Sequence, residues 1–146
     1  MQKSDEDHFR KLENMMYTAP FSKWTGVKVR VSHGEAEITL TVREDFFHSG
    51  GAMHGALYFL ALDNAAWFAV NSLEKDFFVY TTSFTTYLTR PVSQGKVKAL
   101  GRVVNENNTQ FIAESILYDE SGEEIARANG IFVRSKIPLS KKVGYG

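Results

Sequence analysis

Between His48 and Leu73 the chain reads HSGGAMHGALYFLALDNAAWFAVNSL, a glycine-rich turn running straight into the most apolar segment of the sequence. From His54 to Leu73 there is no lysine or arginine, and Asp63 is the one acidic residue. A helix of this composition is apolar on nearly every side, so it must be buried rather than lie on a surface. The rest of the chain has to cover it. A carboxylate in its middle is either paired by the fold or kept for chemistry, because an unpaired buried charge is costly.

The flanking sequence supplies that cover as strands. An N-terminal helix over about residues 4–18 starts at a Ser4 cap, carries Asp5, Glu6 and Asp7 at its positive end, and presents Phe9, Leu12 and Met16 as one apolar stripe before Pro20 ends it. Val27, Val29 and Val31 alternate with charged residues, as do Ala36, Ile38, Leu40 and Val42 with polar ones, so two half-exposed strands form a hairpin around Ser32, His33 and Gly34. His33 reads as a solvated turn residue. After the apolar helix come strands at Phe77–Thr89, Val97–Val104, Phe111–Tyr118 and Ile125–Val133, joined by Pro-, Gly-, Asn- and Asp-rich turns. The tail, residues 135–146, is expected to be loose. One domain spans residues 1–146 with its core at about 18–134. Its class is α+β, a curved antiparallel sheet wrapped around one long central helix, with an N-terminal helix. Covering a helix that is apolar all round calls for a second subunit as well.

Composition narrows the function. Lysine plus arginine and aspartate plus glutamate number 17 each, so no global field draws in nucleic acid or an anionic membrane. The absence of cysteine removes disulfides and thiolate catalysis. The charged N-terminus lacks the apolar core of a secretory signal and reads as cytoplasmic. Asp63, Asn64 and Asn71, with no basic flank, argue against a membrane span.

Residues 48–70 resemble the signature of the hotdog-fold acyl-CoA thioesterases of the phenylacetate-degradation (PaaI-like) type, in which a His-Gly-Gly turn is followed by an aspartate nine residues after the histidine. Here the match is His54, Gly55 and Asp63. Pro20-Phe21, the Thr-rich strand ending in Arg90-Pro91-Val92, Asp119 to Gly122 and Ala126-Arg127-Ala128 also fall where that family has them, so the resemblance covers roughly residues 18–134. Two positions depart from it. Ala56 replaces the second glycine, and His48 stands where the family has asparagine or glutamine. The resemblance implies a hotdog fold, a homodimer or dimer of dimers, an acyl-CoA substrate and no cofactor beyond the coenzyme A of that substrate. It also implies that the aspartate works across the dimer interface with a hydroxyl residue; alignment to Pro91 makes that Thr82, with Thr81 as neighbour.

The chemistry is legible from the residues too. Gly55, Ala56 and Leu57 open the helix, where amides lack intrahelical partners and the dipole is positive, so Gly55 and Ala56 N–H groups can hold a carbonyl oxygen as it gains charge. Asp63 lies about two turns on, among Phe59, Leu60, Ala66 and Trp67, a setting that raises a carboxylate's pKa and suits a general base or nucleophile. His54 reads as a shaper of the turn beside the substrate, and His48 as a positioner of carbonyl or water. Phe59, Trp67 and Tyr87 are candidates to line an acyl pocket and Arg90 to meet coenzyme A phosphates, although aromatics on a buried helix commonly serve as core. His48, His54 and Asp63 match no common metal-ligand spacing. Two alternatives stand beside the acyl-CoA thioesterase: a hotdog-fold hydratase or dehydratase on acyl thioesters, and a non-catalytic acyl-thioester binding module.

Overall fold

In a computed structural model that describes residues 5–146, the expected Ser4 cap lies outside the described residues. Helix α1, Asp5–Thr18, has Asp5, Glu6 and Asp7 in its first turn and buries Phe9, Leu12, Met15 and Met16. Pro20 does more than end it. Proline also suits the first position of a helix, where its missing N–H is no loss, and it opens a short second helix, α2, Pro20–Thr25, that sequence patterning did not anticipate.

Strands β1, Lys28–Ser32, and β2, Glu35–Thr41, form the expected hairpin, with Ser32 opposite Glu35. The central helix α3 spans Gly55–Ser72, and β3, Phe77–Leu88, β4, Lys96–Glu106, β5, Phe111–Tyr118, and β6, Glu124–Pro138, follow. All six strands pair antiparallel in the order β1-β2-β4-β5-β6-β3. This is the hotdog-like α+β architecture.

Alternation along the strands gives the sheet a buried face of Ile38, Leu40, Val97, Ala99, Ala113 and Leu117, onto which α3 packs. Burial of one such leucine contributes about 1.5–3 kcal/mol. The approach is close: a Cβ on Gly101 of β4 would run into the backbone of Ala65, so glycine lets helix and strand meet. On β5, the Ser115 hydroxyl donates to the Leu62 carbonyl at 2.8 Å.

The second half of α3 is buried all round, but its first half is not. Ala56, Phe59, Leu60, Asp63 and Asn64 form an uncovered stripe, and Phe59 is 41% exposed. One protomer therefore does not cover the whole helix.

The two sheet edges also differ. On β1, Glu13 accepts from the Val31 amide at 2.8 Å, Arg10 donates to the Val31 carbonyl at 2.8 Å, and the Tyr17 hydroxyl meets the Val29 amide at 3.0 Å, so α1 caps that edge. On β3 the capping stops early: Asn71 accepts from the Val79 amide at 3.1 Å and the Trp67 indole donates to the Val79 carbonyl at 2.9 Å. From Thr81 to Leu88 the outer edge has no partner strand among the described residues.

The expectation of a loose tail is corrected. β6 continues to Pro138, and beyond it Leu139, Val143 and Tyr145 pack against the core. The Tyr145 hydroxyl lies 2.7 Å from Nδ1 of buried His8, whose Nε2 is 2.8 Å from the Asn71 carbonyl. That carbonyl can only accept, so Nε2 carries the proton and Nδ1 accepts from the tyrosine. Asn14 also donates to the Gly146 carbonyl at 3.0 Å.

Candidate active site

The turn before α3 is held by its own backbone. The His48 amide donates to Ala52 at 3.0 Å, the Gly51 amide to His48 at 3.0 Å, and the His54 amide to Phe46 at 2.8 Å. This places His54 as the N-cap of α3: its extended backbone leads into the helix, and its Nδ1 accepts from the Ala56 amide at 2.9 Å. The Leu57 amide donates to the His54 carbonyl at 2.9 Å. Of the three amides that the sequence offers for an oxyanion, Ala56 and Leu57 are thus engaged. The expectation of a Gly55 and Ala56 pair narrows to Gly55, whose N–H has no partner among the described residues.

Gly55 opens onto a cleft of about 350 Å³ shared with His48, Tyr58, Leu88, Arg90 and Pro91. The exposed His48 ring accepts from the Gly50 amide through Nδ1 at 2.9 Å and stands 6.4 Å from the His54 ring. The Tyr58 hydroxyl donates to the Arg90 carbonyl at 2.7 Å, while the Arg90 guanidinium pairs with Glu123 at 2.7 Å. Arg90 is therefore beside the Gly55 cleft, with its charge already partnered.

Asp63 sits in a different setting. It accepts from the Thr81 hydroxyl on β3 at 2.8 Å and borders a second groove of about 350 Å³, walled by Trp67, Phe68, Phe78, Met15 and Met16 among others. Burial pushes its carboxyl above the ordinary value of 3.8, and the Thr81 hydrogen bond pulls the other way. Thr82, the residue carried over by resemblance, donates to the Ile131 carbonyl at 3.0 Å instead; within one chain the hydroxyl that meets Asp63 belongs to Thr81. Trp67 lines the Asp63 groove. Phe59 packs edge-on against Phe84 at 5.5 Å beside the open stripe, and Tyr87 is exposed on β3 opposite Arg127.

The two clusters do not meet in one protomer. Asp63 is eight residues from Gly55, which is about 12 Å along a helix rising 1.5 Å per residue, while a reacting carbonyl has to lie within roughly 3–3.5 Å of each group. The groove also contains residues that sequence reasoning did not place there: Asn64, Phe78, Tyr80, and Val143 from the carboxy-terminal segment. Met16 had a signal, as part of the apolar stripe of α1. Among the described residues no three His, Asp or Glu side chains are grouped to hold a metal ion, and no helix is long and apolar enough to cross a membrane.

Comparison with known proteins gives a consistent picture. A family profile described as "Thioesterase superfamily" matches residues 50–126. A "Putative esterase" of Sulfurisphaera tokodaii is 29% identical over 104 residues, covering 70% of this chain and 77% of that relative. Another from Saccharolobus solfataricus is 24% identical over 138 residues, covering 92% and 94%. Among solved structures, E. coli PaaI from the phenylacetic acid degradation operon matches with a TM-score of 0.83 at 19% identity, covering 93% of this chain and 99% of that one, a likeness of fold. A mutant of the phenylacetic acid degradation protein PaaI from Thermus thermophilus matches at 0.73 with 25% identity, covering 80% and 100%.

Proposed function

Because the chain belongs to the thioesterase superfamily, we propose that it hydrolyses acyl-CoA thioesters as a homodimer, with Gly55 of one protomer and Asp63 of the other serving one substrate. The observation that carries this reading is the uncovered stripe of α3, which bears a desolvated Asp63 and begins beside the free Gly55 N–H about 12 Å along the helix. A two-fold axis across that stripe sets each residue of a pair against the other residue of the second copy. The unpaired edge of β3 over Thr81–Leu88 and the exposed ring of Phe59 support the same dimer, since open edges and apolar stripes are surfaces that proteins cover.

In this reaction the Gly55 amide, at the positive end of α3, takes the thioester carbonyl oxygen and stabilises it as it becomes an oxyanion. Asp63 removes a proton from water, which attacks the carbonyl carbon; collapse breaks the carbon–sulfur bond and releases coenzyme A and the free acid. In the other route Asp63 attacks directly and expels the coenzyme A thiolate to leave a mixed anhydride, and water then attacks its Asp63 carboxyl carbon, so that the water oxygen enters Asp63 and an Asp63 oxygen leaves with the free acid. A single turnover in ¹⁸O-labelled water leaves label on Asp63 only in the second. Coenzyme A enters as part of the substrate, and neither route uses another cofactor.

The test is free-thiol release from a panel of acyl-CoAs of increasing length, phenylacetyl-CoA included. A hydratase would consume an enoyl thioester without releasing thiol, and a binding module would do neither. The shared site has its own test. Asp63→Asn and Gly55→Pro are each expected to be nearly inactive, yet a mixture refolded together should regain about a quarter of the wild-type rate, because half the dimers then hold one intact site of two. No recovery on mixing would overturn the shared site.

A further inference from the structure

The groove beside Asp63 is finished by a part of the chain remote from α3. Val143, in the segment after β6, joins Met15, Phe21, Trp67 and Phe78 in its wall. That segment is tied down along its length. The Leu139 amide donates to the Asp76 carbonyl at 2.9 Å, Tyr145 holds His8, and Asn14 holds Gly146. Between these ties Gly144 takes a φ of 85°, and a Cβ there would run into Thr18 and come within 3.4 Å of the Met15 Cα. Any other residue would be strained at that φ and would have to displace either the Thr18 hydroxyl, which donates to the Met15 carbonyl at 2.9 Å, or the segment itself.

The wall has a definite chemistry. Trp67 packs against Phe68 at 4.8 Å and Phe78 at 4.9 Å, forming a ring cluster, and the methionines offer the polarisable sulfur that sits well against aromatic groups. Among the described residues Asp63 is the only charged one that borders the groove, and at about 350 Å³ the space is near the small end of ligand pockets, which run from about 300 to 1,000 Å³. Nothing in it would neutralise an anionic acyl terminus.

We infer that residues 139–146 form a strap whose Val143 limits the acyl pocket, so that the enzyme selects compact, hydrophobic acyl groups without an anionic terminus, aromatic ones included, over long straight chains. This rests on the acyl-CoA reading above. Val143 is then a specificity-determining residue, and Gly144 sets its position by allowing the strap to lie against α1.

The experiment measures binding separately from turnover, by calorimetric titration with the non-hydrolysable thioethers S-propyl-, S-phenethyl- and S-dodecyl-CoA. Val143→Trp should weaken S-phenethyl-CoA about tenfold or more relative to S-propyl-CoA. Gly144→Ala, which lifts the strap, should act in the opposite sense, strengthening S-dodecyl-CoA relative to S-propyl-CoA by about threefold or more. Parallel shifts for all three ligands, or none, in both variants would overturn the strap as a selector. The expected pattern without thiol release from the matching thioesters would keep the strap and sink the hydrolase; thiol release without the pattern would do the reverse.

Discussion

The two ends of the open stripe on α3 solve opposite problems. At Gly55 the group proposed to meet the substrate is a backbone amide left over by helix geometry, so it needs neither burial nor a titrating side chain; the turn and the His54 cap only hold it in place. At Asp63 the group is a carboxylate, made a better base by being half removed from water among Trp67, Phe68 and Phe78. The polar end is open and rests on hydrogen bonds, whereas the basic end is sheltered and rests on packing. Substitutions should therefore fail differently at the two ends.

The largest effect is expected at the sheltered end. Asp63→Asn should lower thiol release by about 10²–10⁴-fold, the usual worth of a positioned base. It should not cost stability. A carboxyl whose folded pKa is raised above its unfolded value contributes stability that is fully present below the unfolded pKa and lost as pH rises through the folded one. Above that folded pKa the ionised Asp63 is thus a burden that the neutral amide removes, and the urea midpoint of Asp63→Asn, measured there, should equal or exceed that of wild type. A large drop in midpoint would make Asp63 a structural partner of Thr81 and break the contrast.

At the open end, Gly55→Pro deletes the amide hydrogen and adds a ring whose Cβ would meet the Leu88 Cδ1 at 3.0 Å. Proline is accepted at the first helical position, and His54, with φ of −63° and ψ of 142°, already has the conformation that precedes proline. Loss of a single oxyanion donor should cost about 10²–10³-fold in kcat, with helix content unchanged by circular dichroism. Gly55→Ala keeps the N–H. Its Cβ would meet only the Leu88 Cδ1 at 3.0 Å, a movable side-chain end, so it should stay much closer to wild type. Equal losses in both variants would point to crowding of the cleft rather than to the amide.

A smaller change sharpens the picture of Asp63. Thr81→Val removes the hydrogen bond that opposes the burial effect, so the carboxyl should move further up. The acid limb of the kcat/KM profile should shift to higher pH, with the loss of rate confined to that limb. A shift to lower pH would contradict the assigned causes.

How much of this could be read from the chain varies with how local each cause is. Strand alternation at Val29, Val31, Ile38 and Leu40, and the unbroken apolar run of α3, mark their own burial, so element order and the central helix were legible. Pro20 misled because the same residue can stop one helix and start the next. The tail misled because its anchor, His8 to Tyr145, joins positions 137 apart in sequence. Thr82 came from counting back from Pro91, whereas β3 changes register between Thr81 and Ser83, and that irregularity alters which hydroxyl faces α3. Ala56 reads as a donor because the first amides of a helix lack intrahelical partners; histidine is not among the usual capping residues, and only the structure pairs the Ala56 amide with His54.

That cap gives the smallest effect and the finest test. His54→Ala should cost about 1 kcal/mol in urea unfolding, the typical worth of a lost N-cap side chain. Its influence on rate has two opposed parts: the helix start loosens around Gly55, but the Ala56 amide is released as a second donor on the oxyanion side. The net change in thiol release should stay within about threefold, since a fresh donor in a frayed turn offsets part of the lost order. A rate loss of two orders of magnitude at unchanged stability would instead carry His54 from positioning the amide to acting on the substrate. The open end would then depend on a side chain, as the sheltered end does.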